Sequence, residues 1–215
     1  MYGPTPPSTA GGVGLATVEL ARFLGAGRVV AACGSDEKLA LAASRGAEAE
    51  GVNYRGLDGR AFRARLKEVA GAGGVDVVVD MVGGAPACSR ALHRGPAAPA
   101  DPRLPCPLGE LLEPAIRSLN WDGRAVVVGF ASGAIPQVPA NLLLVKNVAV
   151  SGLFFGAHLQ HDPNAVRASA EQLVRWWLLG EIKPHVGARL PLAQVNEAFA
   201  LIEGRGTTGK VVLEP

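Results

Sequence analysis

The 215-residue chain has only three cysteines, Cys33, Cys88 and Cys106, with no CxxC spacing among them. That excludes a disulfide framework and a zinc knuckle, and it predicts a reducing, cytoplasmic setting, with a mitochondrial one left open. Aromatic residues make up 5% of the sequence, and 21 Lys and Arg stand against 19 Asp and Glu without a dense basic run. No nucleic-acid partner is expected from such a balance. Long apolar runs are missing too. The stretch from Leu142 to Ala157 is broken by Lys146 and Asn147, which makes it too short and too polar to span a bilayer, so no membrane partner is expected. Residues Met1 to Ala10 lack the basic start and apolar block of a signal peptide. His93, His158, His161 and His185 show no metal-ligand spacing, so no metal site is expected; His158 and His161 are placed on a solvated loop before Asp162.

What the chain does have is apolar material, 48% of its residues, arranged in a repeating rhythm. A helical period runs from Gly14 to about Gly25, followed by the buried strand Arg28 to Cys33. Ser35 caps a helix over Asp36 to Ser44. A third step brings Asn53-Tyr54, a helix over Ala61 to Ala70 and the strand Val75 to Asp80. Continuous runs such as Val77-Val78-Val79 and Ala125-Val126-Val127-Val128 suit strands covered on both faces, which is the parallel sheet of an α/β fold. Residues Ala85 to Gly109 break the rhythm with six prolines and read as an extruded loop. A short helix then covers Leu111 to Asn120, where Pro114 is tolerable only in the first turn. Strands follow at Arg124 to Phe130 and Val148 to Phe155, then helices at Ala165 to Leu179 and Leu192 to Ile202, and a last strand at Lys210 to Leu213. Trp176 and Trp177 cannot face the same way, so one belongs to the core and the other to a contact surface.

Chemistry is concentrated in Thr9-Ala10-Gly11-Gly12-Val13-Gly14. This segment matches the second and third glycines of GxGxxG, with Thr9 at the first. The second glycine lets the backbone approach a pyrophosphate and the third lets the helix pack closely. The helix N-terminus adds partial positive charge worth about 0.3–1 kcal/mol per exposed anionic contact. The cluster alone fits an ordinary tight turn equally well. Some twenty residues on, where an acid would hold an adenosine ribose, stand Cys33-Gly34-Ser35 and Lys38 instead. A hydroxyl and an ammonium there favour a 2′-phosphate, hence NADPH over NADH, with Asp36 as a dissenting charge. Lys38 could instead be a solvated helix residue.

The ordered series AGGVGLATVELA, GSDEKLALA, NYR, VDVVVDMVGG, GRAVVVGFASG, NLLLVKNVAVSGLFFGA and TTGKVVLEP resembles the zinc-independent quinone oxidoreductases of the medium-chain dehydrogenase/reductase superfamily. The resemblance implies a Rossmann-type doubly wound parallel sheet and NADPH-dependent hydride transfer to a small quinone or enone. It also implies a homodimer formed through the strand at residues 148–155. By the same resemblance Gly11, Gly12, Val13 and Gly14 hold the pyrophosphate. Ser35, Lys38, Tyr54 and Arg205 lie on the 2′-phosphate side. Val82, Phe130, Ala131 and Ser132 flank the nicotinamide, with Phe154, Phe155 and Gly156 close by. Val82 and Phe130 could equally be core residues, Tyr54 could cap the sheet, and Phe154 and Phe155 could be packing or dimer contacts. Ser132 lacks the flanks of a nucleophile elbow, so a hydrolase finds little support.

The chain departs from its family at two places. Residues 1–9 stand where the central first strand should be, yet they contain Pro4, Pro6 and Pro7. The GroES-like catalytic domain that precedes the cofactor domain in typical members is also not seen. The expected organisation is an aberrant segment over 1–9, a dinucleotide-binding domain over 10–183 with a proline-rich insert at about 85–109, and a segment over 184–215 that completes the catalytic domain in full-length relatives. No catalytic acid can be named. Two readings stay open: the cofactor-binding half of a reductase, or a truncated, non-catalytic NADP-binding or dimerisation fragment.

Overall fold

The computed structural model describes residues 10–71, 73–83, 111–131, 135–203 and 207–215. The segment 1–9, the proline-rich stretch, Ser132, Arg205, His93, Cys88 and Cys106 lie outside the described residues. Elements alternate as the sequence predicts: α1 (Gly12–Phe23), β1 (Ala32–Cys33), α2 (Asp36–Ser44), β2 (Val52–Asn53), α3 (Gly59–Ala70) and β3 (Val75–Asp80). The second part holds α4 (Leu112–Arg117), β4 (Leu119–Val127), α5 (Ala140–Lys146), β5 (Ala149–Gly152), α6 (Phe155–His161) and α7 (Pro163–Leu178). It closes with β6 (Val186–Pro191), a 3-10 turn, α8 (Val195–Glu203) and β7 (Lys210–Glu214).

Side-chain caps set several helix starts. The Ser35 hydroxyl accepts from Lys38 N–H at 3.4 Å, and Asp58 accepts from Ala61 N–H at 2.7 Å. Asp162 accepts from Ala165 N–H at 3.1 Å ahead of α7, whose first residue is proline. Pro114 falls in the first turn of α4, where a missing N–H breaks no bond. Three expectations need correction. The strand over Arg28 to Cys33 pairs only at Ala32–Cys33, and β5 is shorter than residues 148–155. The loop expected to carry His158 and His161 is helix α6, with both histidines exposed. Its seven residues show too little apolar period to be read as a helix. Trp176 packs edge-to-face on Phe23 with ring centroids 4.8 Å apart, while Trp177 stays exposed.

Every strand pair is parallel, which bears out the α/β class. Among the described residues the strands form three sheets, β1–β2, β3–β4–β5 and β6–β7. The division between the first two falls where the central first strand of a doubly wound sheet would run. Helix α3 joins them from one side, burying Phe62, Leu66 and Val69 with Val52, Tyr54 and Ala115. On the other side Leu15 of α1 packs with Ala31, Cys33 and Ala42. A third cluster, Leu112, Ile116, Leu119, Ala125 and Val148, fixes α4 against β4.

The β6–β7 unit is tied back to this body by polar contacts. Gly209 N–H donates to the Ala10 carbonyl at 3.1 Å, and Lys183 N–H to the Glu19 carboxylate at 2.5 Å. Arg45 donates to the Lys183 carbonyl and to His185 Nδ1, both at 2.9 Å. Because arginine can only donate, Nδ1 accepts and Nε2 carries the proton, directed to Thr208 Oγ1 at 3.1 Å. Burial and then the Arg45 charge hold the imidazole below its ordinary pKa. The unfolded chain therefore binds this proton more tightly. The stability from neutral His185 is complete above about pH 6.5 and is lost as pH falls through the histidine range. Thermal unfolding should show a larger fall in Tm from pH 7 to pH 5 for the native chain than for His185→Gln; equal slopes would count against this link.

Candidate functional site

The glycine turn opens α1 as its sequence implies. Gly11 is the N-cap with extended dihedrals (φ −73°, ψ 169°), carries no capping side chain, and is followed by a first turn without an acid. The first-turn N–H groups are thus left to an anion from outside the helix. Gly14 and Leu15 are buried, which lets α1 pack closely, whereas Val13 is exposed. A Cβ on Gly12 would lie 2.6 Å from Lys210 Cε and 3.1 Å from its Nζ, so the Lys210 ammonium stands directly beside the turn. A parallel bridge from Gly11 to Gly209 brings it there. No local pattern marks Lys210, because nearly the whole chain separates it from the glycines and only the fold joins them.

On the expected adenosine side, Ser35 is both helix cap and hydrogen-bond donor to Glu37. That bond, then the backbone N–H, lowers the Glu37 pKa, with smaller help from Arg55 and Lys38. Asp36 accepts from Asn53 Nδ2 at 2.8 Å, and Asn53 Oδ1 accepts from Arg55 N–H at 3.1 Å. Two acids and two cations thus share this corner, and Arg55 is a candidate that the sequence reading left out. Tyr54 is 3% exposed within the α3 core, its hydroxyl 3.4 Å from where a Gly34 Cβ would stand. It therefore backs the Gly34-Ser35 turn while serving as core.

The expected nicotinamide side forms at the C-terminal ends of β3, β4 and β5. Asp80 closes β3, and its two carboxylate oxygens accept from Val82 N–H and Gly83 N–H, each at 3.0 Å. Ala131 N–H donates to the Met81 carbonyl at 3.2 Å, stitching the loop after β4 to the loop after β3. Val82, Phe130 and Ala131 are thereby brought together. Phe130 is 43% exposed and Val82 half-buried, so neither is a core residue. Leu153 N–H donates to the Val127 carbonyl and carries the chain past β5 to Phe154 and Phe155, 77% and 59% exposed, and Gly156. Met81 and Gly14 line the same groove, so the two halves of the candidate site adjoin.

Asp80 is the residue that shapes this end, and it too was missed by the sequence reading. Burial raises its pKa, while the Val82 and Gly83 N–H groups pull the other way. The folded chain keeps the proton longer than the unfolded one. Its contribution to stability is thus greatest below about pH 3.9 and declines as pH rises through the raised folded value. Urea unfolding of Asp80→Asn across that range should lack this downward slope, and Asp80→Ala, which strands the buried Gly83 N–H and the half-buried Val82 N–H, should lose about 1–3 kcal/mol at pH 7.

Among the described residues no group of three or more His, Cys, Asp or Glu could hold a metal ion, and no helix is long and apolar enough to cross a membrane. Residues 12–94 and residues 104–213 each match the zinc-binding dehydrogenase family. Over 210 residues the chain is 39% identical to quinone oxidoreductase-like protein 2 of Bos taurus, a match covering 96% of this chain and 51% of that protein. The Mus musculus protein of the same name is 37% identical over 206 residues, covering 96% and 51%. The chain spans about half the length of the curated relatives it matches. The solved structure of Escherichia coli quinone oxidoreductase complexed with NADPH superposes with a TM-score of 0.70 at 27% identity, covering 96% of this chain and 55% of that one. With its parallel α/β fold and the order of its motifs, the chain belongs to the zinc-binding dehydrogenase family.

Proposed function

We propose that this chain is the cofactor-binding half of an NADPH-dependent reductase acting on small quinones or enones. The observation that carries the reading is the acid-free opening of α1 with the Lys210 ammonium against Gly12. A turn of small residues, free N–H groups and one facing cation is the chemistry a pyrophosphate requires. Bound NADPH would supply a hydride from its nicotinamide to an electron-poor carbon. The chain's part is to hold and aim it. Gly11 to Gly14 and Lys210 take the pyrophosphate, and Ser35, Lys38 and Tyr54 receive the 2′-phosphate end with Arg55 beside them. Val82, Phe130 and Ala131 form the wall for the ring, with Phe154, Phe155 and Gly156 at its rim. A second reading, cofactor binding without turnover, is favoured by the exposure of Phe130 and Phe154, since a hydride site works best when water is excluded.

Titration with each cofactor tests the proposal. A hundredfold excess over Kd adds about 2.7 kcal/mol of stability, visible as a rise in Tm. NADPH should give the larger rise. Lys38→Ala should reduce the NADPH response and spare that to NADH, whereas Lys210→Ala should weaken both by roughly 10- to 100-fold in Kd, the worth of a charge-assisted contact. Silence toward both cofactors would sink the proposal. Turnover of a small ortho-quinone then separates the reductase from the non-catalytic reading.

The partner surface we propose is the outer edge of β5, which among the described residues pairs with β4 alone. Leu153 N–H faces β4, so by alternation the Val150 N–H faces outward. A second copy pairing along this edge would bury Leu153 and Phe154. Sedimentation equilibrium should give a dimer for the native chain and a folded monomer for Val150→Pro, which removes one outward donor and none of those toward β4.

A further inference from the structure

His185 stands between the C-terminal unit and the end of α2, half-buried, with both ring nitrogens engaged. Arg45, the C-cap of α2, donates to Nδ1 at 2.9 Å, and Nε2–H donates to Thr208 Oγ1 at 3.1 Å. The His185 carbonyl accepts from Lys210 N–H at 3.2 Å. The ring also packs on Gly209, where a Cβ would lie 2.5 Å from His185 Cδ2 at a φ of +67°. Gly209 in turn donates to the Ala10 carbonyl and bridges to Gly11, and Lys210 sets its ammonium beside Gly12. A run of contacts thus leads from Arg45 through His185 and Gly209 to the glycine turn.

The chemistry of Nδ1 makes this run conditional. A guanidinium can only donate, so Nδ1 keeps the contact only while it carries no proton. A protonated ring would set an N–H and a positive charge against the guanidinium, losing a hydrogen bond and gaining a repulsion. The other charged groups at this junction do not relieve it. Glu19 of α1 accepts from Lys183 N–H, Arg22 of α1 donates to the Ala26 and Gly27 carbonyls, and the Lys183 and Lys210 side chains are themselves cationic.

We propose that His185 is a positioning residue of the phosphate site: neutral, it latches residues 183–214 onto Arg45 and keeps the Lys210 ammonium beside Gly12; protonated, it releases both. Only the identity of the anion rests on the cofactor reading above. A phosphate on the turn would itself favour an imidazolium, but it acts across Gly209 and Lys210 while Arg45 touches the ring, so the repulsion prevails. Proton and cofactor therefore compete through the latch, and anion binding strengthens as pH rises through the histidine range.

The test is the Kd for NADP+ on the full chain between pH 7 and pH 5, for the native protein, His185→Gln and His185→Ala. Glutamine offers Arg45 an acceptor and Thr208 a donor without a titrating group. The native Kd should rise at least about fivefold more than that of His185→Gln, whose change reports the cofactor's own phosphate. At pH 7 glutamine should bind more tightly than alanine. In parallel, exchange of Gly209 N–H, scaled to its intrinsic rate, should lose protection at pH 5 in the native chain, while Val128 N–H, bonded to Asp80, keeps its own. Parallel Kd curves for the native protein and His185→Gln, a glutamine variant no tighter than alanine, or Gly209 protection that ignores pH would each overturn the proposal. Silence toward NADP+ at every pH would sink the cofactor reading instead. The latch is then decided by exchange in the native chain alone: loss at Gly209 with Val128 protected supports it, and no loss, or loss at both, overturns it.

Discussion

A parallel sheet holds together through backbone ladders between neighbours, and among the described residues no ladder joins β1 directly to β3. The packing of the described residues follows from that separation. Side chains replace what backbone pairing does not supply: Phe62 and Leu66 of α3 are buried beside Val52 on one part of the sheet and reach Val78 on the other. A helix of twelve residues thus bridges two sheets that share no ladder among the described residues. Apolar burial is strong but not directional. It fixes the two sheets near each other without setting a register between them.

That arrangement also explains where the candidate site remains well formed. The glycine turn depends on α1, and α1 is anchored by Leu15 and Val18 and by the Gly209 contact to Ala10. The nicotinamide side depends on Asp80, whose carboxylate ties Val82 and Gly83 to the end of β3. Both are local devices. Each holds its backbone through hydrogen bonds made within a few residues or to an adjacent strand, so neither needs an intact central strand.

What was legible in the sequence follows the same division. The Val75–Asp80 strand, the Ser35 cap and the first-turn position of Pro114 were readable because valine runs, capping residues and proline act within one element. The expectation drawn from Pro4, Pro6 and Pro7 falls on residues outside the described ones. Helices α5 and α6 were not readable, since seven residues with little periodicity fit strand, helix or loop alike. Lys210 and Asp80 escaped for another reason. The role of Lys210 exists only once Gly209 has bridged to Gly11, and that of Asp80 only once the chain after β3 folds back over it. The first is a product of tertiary contact and the second of a turn closed two and three residues on, and neither leaves a mark in local pattern.

The joining of Gly209 to the Gly11 turn couples two parts of the chain that are far apart in sequence. Lys210 leads β7, and β7 pairs with β6, which Arg45 and His185 hold against α2. The charge beside Gly12 is therefore positioned by the docking of residues 183–214 and not by α1 itself. An anion resting on the glycine turn would favour the docked arrangement, because only there does the ammonium meet it. By linkage the docked segment must favour the anion by the same amount. The C-terminal segment is in this sense part of the phosphate site, although every glycine of that site lies at the opposite end of the chain.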